Sequence, residues 1–272
     1  MLMDRKLPYY HLEKYTDDLR SKGRYTFTLD ELRNSVDVNY SALKKTLNRF
    51  SGKGKIISIR KGFYVIIPPE YSAMKILPPI LFIDELMKYQ DRSYYVGLIS
   101  AAVFHGAGHQ QPQEFFVITE KPVLRNISSR GIMINYVIKS VISDAGIEKR
   151  KTETGYVRIS GPWLTALDLI RYESKIGGLS RVVTILDELS EELNPKDGFD
   201  NLINNTPVAY WQRLGYLFDK VLGQKALAES VFNIISNRKL NRVPLKPGGI
   251  RHGVPVDKQW KILVNAKPES DL

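Results

Sequence analysis

The sequence has no cysteine. This absence excludes a disulfide framework, a thiolate zinc site and an iron–sulfur cluster. No uninterrupted apolar run approaches the ~20 residues that a bilayer-spanning helix needs, and the first twelve residues lack an apolar signal core. Of the 272 residues, 43% are hydrophobic and 25% are charged, which is typical of a globular protein. We therefore predict a cytoplasmic protein, long enough for two domains.

Motifs of the common enzyme classes are also missing. The sequence has no H-E-x-x-H, Walker loop, G-x-S-x-G or G-x-G-x-x-G pattern. Its four histidines include His105 and His109, which have the spacing of metal ligands on a helix. Gly106 and Gly108 lie between them and disfavour a helix there. We predict no catalytic residues, no metal site, no cofactor and no enzymatic activity.

Positive charge is the most informative feature of the composition. Lys and Arg number 40 against 29 Asp and Glu, giving a net charge of +11. Residues 1–75 hold 15 basic and 8 acidic residues, 76–236 hold 17 and 18, and 237–272 hold 8 and 3. The segment 39–67 has seven basic residues and no acidic one. An ordered segment with this charge is expected to bind phosphates, although a solvated basic surface has the same composition.

The order of elements in this first segment predicts a winged helix-turn-helix. A helix over Tyr9–Lys22 is followed by the capping box of Thr28 and Glu31 and by a short second helix. A third helix runs from about Asn39 to Phe50 and is amphipathic. The strands Ile56–Ile59 and Phe63–Ile67 follow it, joined by the turn 60–62. Three helices and a basic-tipped hairpin in this order are the pattern of a winged helix, in which the third helix enters the DNA major groove.

The candidate DNA contacts lie on the third helix and on the tip of the wing. Lys and Arg side chains reach phosphates, while Ser and Asn can hydrogen-bond base edges. Ser41 could instead be the N-cap of the third helix, because serine is a preferred capping residue. The predicted DNA-binding residues are Ser41, Lys44, Lys45, Asn48, Arg49, Arg60 and Lys61.

The rest of the chain predicts a larger mixed domain. Proline pairs at 68–69 and 78–79 bracket an expected extended linker. Helices are predicted over 80–89, 94–104, 160–175, 178–193, 208–222 and 225–237, and strands over 114–119, 132–138, 155–159 and 260–264. The predicted fold class is α+β, with a winged helix-turn-helix domain at 1–67, a linker at 68–79 and an α+β domain at 80–272.

Several segments resemble the antitoxins of AbiE-type abortive-infection systems. In that family a Tyr-Val, Ser-Ala and His-Gly series follows the winged helix and precedes a strand rich in Phe and Val. The wing sequence 62–64 and the ending 257–265 look similar too, so the resemblance covers most of residues 5–265. The matching residues of the series are Tyr95, Val96, Ser100, Ala101, His105 and Gly106, with the strand at Phe115–Ile118.

The resemblance implies an antitoxin of a type IV toxin–antitoxin system, acting in phage defence. The N-terminal domain is expected to repress its own operon by binding inverted repeats in double-stranded DNA. The C-terminal domain is expected to counteract a nucleotidyltransferase-like toxin without a stable complex, and no membrane partner is implied. Two alternatives stay open at this point: an ordinary winged-helix transcriptional regulator with a ligand-sensing C-terminal domain, and an enzyme hidden in that domain.

Overall fold

A computed structural model describes residues 7–36, 39–107, 114–196 and 199–268. The chain forms two compact units, and each is discontinuous in sequence. The first unit consists of Met1–Tyr94, Gln113–Ser140 and Lys149–Arg158, and the second of Tyr95–Pro112, Val141–Glu148 and Ile159–Leu272. None of the helices in the described ranges is long and apolar enough to cross a membrane.

Strands follow one another over 114–160 and helices over 162–235, and this segregation confirms the predicted α+β class. The helices are α1 (Leu7–Ser21), α2 (Leu29–Ser35), α3 (Tyr40–Gly52), α4 (Ile83–Tyr89), α5 (Leu98–Phe104), α6 (Pro162–Arg171), α7 (Leu179–Leu189), α8 (Asp200–Asn204), α9 (Val208–Tyr216) and α10 (Lys225–Ile235). The strands are β1 (Thr26–Thr28), β2 (Ile56–Arg60), β3 (Phe63–Ile66), β4 (Tyr94–Val96), β5 (Glu114–Thr119), β6 (Ile127–Ser129), β7 (Ile132–Ile138), β8 (Ile147–Thr152), β9 (Gly155–Ser160), β10 (Val243–Pro244), β11 (Val256–Asp257) and β12 (Ile262–Leu263).

Residues 7–36 and 39–66 form a winged helix-turn-helix. Helices α1, α2 and α3 pack against an antiparallel sheet of strand order β1-β3-β2, in which β2 and β3 make the wing. The predicted capping box is confirmed: the Thr28 hydroxyl accepts from the Glu31 N–H at 3.1 Å, and the Glu31 carboxylate accepts from the Thr28 N–H at 2.7 Å. The core contains no charged residue and comprises Leu12, Leu19, Phe27, Leu32, Leu43, Leu47, Phe50, Ile56 and Ile66.

The segment between the proline pairs differs from the extended linker that the sequence predicts. Single turns of 3-10 helix lie at Pro69–Tyr71 and Pro79–Leu81, and Leu77 between them is fully buried. A buried apolar side chain anchors such a segment to the protein. By its contacts the segment belongs with the first unit, whose first stretch is Met1–Tyr94. Independent folding of residues 1–67 and 80–272 stays a prediction.

The remainder of the first unit is built on the strands β5, β6 and β7. Strand β7 pairs in parallel with β5 and in antiparallel with β6. Ser129 pairs with Ile132, which leaves Arg130 and Gly131 as a two-residue turn with φ values of 46° and 84°. Two consecutive residues at positive φ are the mark of a type I′ hairpin turn. This turn therefore fixes the register in which β6 pairs with β7.

The second unit is stabilised by buried aromatic rings and by hydrogen bonds between buried polar groups. Trp163, Phe199, Trp211 and Phe218 contact one another at centroid distances of 4.6–6.5 Å, mostly edge to face. The hydroxyl of Tyr95 donates to the Asp168 carboxylate at 2.6 Å. Strand β4 pairs in parallel with β9 through Val96 and Ile159. The predicted helix over 94–104 is thus wrong in its first four residues: 94–96 form a buried strand, and Gly97 is the N-cap of α5.

Candidate nucleic-acid interface

Helix α3 separates apolar and basic side chains onto opposite faces, as the sequence predicts. Leu43, Thr46, Leu47 and Phe50 are buried. A 3.6-residue repeat turns the residues between them away from the core. The exposed side chains are Ser41, Lys44, Lys45, Asn48 and Arg49.

The start of α3 decides between the two roles proposed for Ser41. The helix begins at Tyr40, and its N-cap is Asn39, whose side-chain oxygen accepts from the Ser41 N–H at 2.8 Å. Ser41 therefore lies inside the first turn, and its exposed hydroxyl is not the cap. The N-cap interpretation of Ser41 is wrong, because Asn39 occupies that position.

This assignment gives a stability prediction. Asn39→Ala should lower the free energy of unfolding by about 1 kcal/mol, because it removes the acceptor of an otherwise unpaired N–H. Ser41→Ala should leave it unchanged. Urea unfolding of both variants measures the difference, and an equal loss for the two substitutions would contradict the assignment of the cap.

Three of the predicted contacts on α3 are free cations in the described part of the chain. Lys44, Lys45 and Arg49 are exposed, and no acidic side chain of the described residues pairs with them. Exposed cations without an internal partner are the groups that release counterions from DNA phosphates. Lys61, at the wing tip, is likewise exposed, while its carbonyl accepts from the Tyr89 hydroxyl at 2.9 Å.

The other cations of the basic segment have partners within the first unit. Lys53 lies 4.8 Å from the centroid of the Tyr9 ring. Lys55 pairs with Glu13, whose hydrogen bond raises the pKa of Lys55. Arg60 is half-buried: its guanidinium donates to the carbonyl of Arg125 and lies 5.8 Å from the centroid of the Tyr136 ring. This geometry favours a role for Arg60 in holding the wing.

Charge is divided unequally between the two units. The first unit contains 25 basic and 14 acidic residues, and the second contains 15 of each. The whole net charge of +11 therefore belongs to the unit that contains the winged helix. Charge counted in three blocks along the sequence, divided at residues 75 and 236, does not show this difference. The reason is that the basic segments 113–140 and 149–158 pack with the first unit.

In the described residues of the second unit the sequence predicts no metal site, and His105 is half of the candidate ligand pair. No group of three or more His, Asp or Glu side chains could hold an ion there. The buried His105 places its Nε2 at 2.7 Å from the Ser160 carbonyl. A carbonyl only accepts, so that nitrogen carries a proton and donates. His109, the other half of the predicted ligand spacing, lies outside the described residues.

Comparison with known proteins finds one family model that matches part of the chain. Residues 95–220 match the model of the AbiEi antitoxin C-terminal domain. This match supports an AbiE-type antitoxin family. An antitoxin role follows from this AbiEi domain, and it confirms the resemblance drawn from the sequence. A search of curated proteins gave no match.

A solved structure with a similar fold extends over the AbiEi domain and the winged helix together. It is the crystal structure of the RV2827C protein from Mycobacterium tuberculosis, which is 14% identical in sequence. The alignment covers 93% of this chain and 90% of that chain, with a TM-score of 0.65. At this identity the similarity shows the fold alone.

Proposed function

We propose that this AbiE-type antitoxin is a cytoplasmic autorepressor of a type IV toxin–antitoxin system. Its winged helix binds double-stranded DNA at inverted repeats in its own promoter. Its AbiEi domain counteracts a nucleotidyltransferase-like toxin without a stable complex. The protein acts without a cofactor and is not an enzyme.

The free basic face of α3 supports the DNA-binding part of this proposal. Three unpaired cations stand beside an exposed amide and an exposed hydroxyl on one helix of a winged fold. Lysines and arginine bind phosphates and set the register, and an amide reads the edge of adenine. Lys61 binds a phosphate from the wing. In this proposal Arg60 holds the wing in place through its bond to the Arg125 carbonyl.

The experiment that tests sequence reading uses Asn48. Asn48→Ala should reduce the preference of the protein for its promoter over a random duplex, because one bidentate contact discriminates by ~1–3 kcal/mol. Fluorescence anisotropy with both duplexes measures the ratio of affinities. Since Asn48 is exposed, the unfolding midpoint should not move.

Asn233→Ala is the matched control, because it removes an exposed amide from α10 in the second unit. It should leave the ratio at the wild-type value. If Asn48→Ala also keeps that ratio, α3 does not read sequence through this side chain. If the wild-type protein shows no preference for its promoter, the autorepressor proposal itself fails.

A further inference from the structure

The hairpin β6–β7 contacts the end of the proposed recognition helix. The Arg130 guanidinium, at the hairpin turn, donates to the Ser51 carbonyl at 2.7 Å and to the Ser51 hydroxyl at 3.2 Å. Ser51 lies in the last turn of α3. A cation at the C-terminus of a helix is favoured by the helix dipole. Here Arg130 adds a bond to a carbonyl that also accepts from the Gly54 N–H at 3.1 Å. Arg130 is thereby fixed at the end of α3.

Helical geometry places this contact on the same side of α3 as Lys44 and Asn48. Ser51 follows Lys44 by seven residues and Asn48 by three, and both spacings return to the same side of a helix. Seven residues correspond to a rise of about 10.5 Å. Arg130 therefore continues the row of exposed basic and amide side chains beyond the end of α3.

The same hairpin also contacts the wing. Arg60 donates to the carbonyl of Arg125, which precedes β6, and lies over the ring of Tyr136 in β7. At the turn, a Cβ added to Gly131 would approach Cδ1 of Ile76 to 2.6 Å, so the backbone packs directly against that side chain. The hairpin thus contacts both α3 and the wing, which are the two elements that bind DNA in the proposed function.

The hairpin and its flanks have the charge of a phosphate-binding element. Residues 121–140 contain four cations and no acidic residue. Arg125 and Arg130 are exposed, and neither forms an ion pair with a described residue. Arg130 uses two of its five donors on Ser51, which leaves three for another acceptor.

We propose that the β6–β7 hairpin is a third DNA-contacting element, with Arg125 and Arg130 binding backbone phosphates next to the recognition helix. The proposal rests on the proposed DNA-binding function. It assigns part of the stretch matched by the AbiEi C-terminal domain to DNA binding, because that stretch includes residues 121–140. These contacts go to phosphates and therefore add affinity on every sequence.

The test measures how the affinity of the full-length protein for a random-sequence DNA duplex depends on salt. In the double variant Arg125→Gln and Arg130→Gln, the slope of log affinity against log salt concentration should become shallower by about 1.8, which is ~0.9 for each lost contact. Arg125→Lys with Arg130→Lys should restore most of the slope. Lys175→Gln with Lys196→Gln removes two exposed cations from the second unit and should change nothing.

The outcomes separate this proposal from the function on which it rests. A wild-type slope in the double Gln variant, with a shallower slope when Lys44 and Lys45 are replaced by Gln, would overturn the hairpin proposal alone. Lower affinity with an unchanged slope would also overturn it, since Arg130 would then only position α3. If replacement of Lys44 and Lys45 leaves the slope unchanged, the DNA-binding face proposed on α3 is wrong.

Discussion

Replacing Lys44, Lys45 and Arg49 by glutamine should lower the affinity for DNA on the order of a hundred-fold at physiological salt. These side chains are exposed cations on one face of α3. Each lost phosphate contact reduces the slope of log affinity against log salt by ~0.9, so the triple variant should lose about 2.7. The promoter and a random duplex should be affected alike.

The same triple variant should still neutralise the toxin, because none of its substitutions lies in residues 95–220. Co-expression of the variant with the toxin of the proposed toxin–antitoxin system measures neutralisation as restored growth. A variant with Lys175, Lys196 and Lys239 changed to glutamine is the charge-matched control in the second unit. Loss of neutralisation by the α3 variant at wild-type stability would contradict the proposed separation of the two activities.

Arg213→Met should destabilise the protein by ~3–5 kcal/mol, since it leaves a buried carboxylate without its cation. Arg213 is 3% exposed and pairs with Glu173, which is 9% exposed. It also donates to the carbonyls of Ile170 and Leu245 at 3.0 and 2.8 Å. Burial lowers the pKa of Arg213, and the neighbouring carboxylate opposes that effect. Loss of the guanidinium therefore leaves three acceptors unpaired in the core.

Chemical unfolding, followed by the near-ultraviolet signal of the buried tryptophans, measures this loss. The double variant Arg213→Met with Glu173→Met should recover part of the stability, because no charge is then left alone in the core. Arg181→Met, an exposed position on α7, is the control. An unfolding midpoint of Arg213→Met equal to that of the control would show that solvent reaches the carboxylate.

Local sequence signals sufficed for the winged helix. The capping box at Thr28, the amphipathic pattern of α3 and the wing turn all depend on residues within four positions of one another. The predicted helix over 94–104 failed at its start for a physical reason. Tyr94, Tyr95 and Val96 are all buried, and a short apolar run buried on every side has no period that distinguishes a strand from a helix.

The contacts of the β6–β7 hairpin could not be predicted from local patterns. Arg130 and Ser51 are 79 residues apart, and Arg60 and Arg125 are 65 apart. No spacing rule connects residues at such separations, and a cation in a loop resembles an ordinary solvated side chain. The exposed cations on α3 could be predicted from the sequence, because a helix places residues three and four positions apart on the same face. The sequence predicts Arg60 as a DNA contact in the same way, because its partner, the Arg125 carbonyl, is remote in the sequence.

The interleaved course of the chain has a consequence for synthesis. The winged-helix core is complete at Ile66, so this part can fold soon after it leaves the ribosome. Arg130 and the two later stretches of the first unit, 113–140 and 149–158, emerge only after residues 95–112, which belong to the second unit. Domains commonly fold one after another from the N-terminus. Here the nascent chain has a winged-helix core well before the side chains that anchor its wing and its third helix, so a ribosome halted before residue 130 carries an incomplete DNA-binding unit.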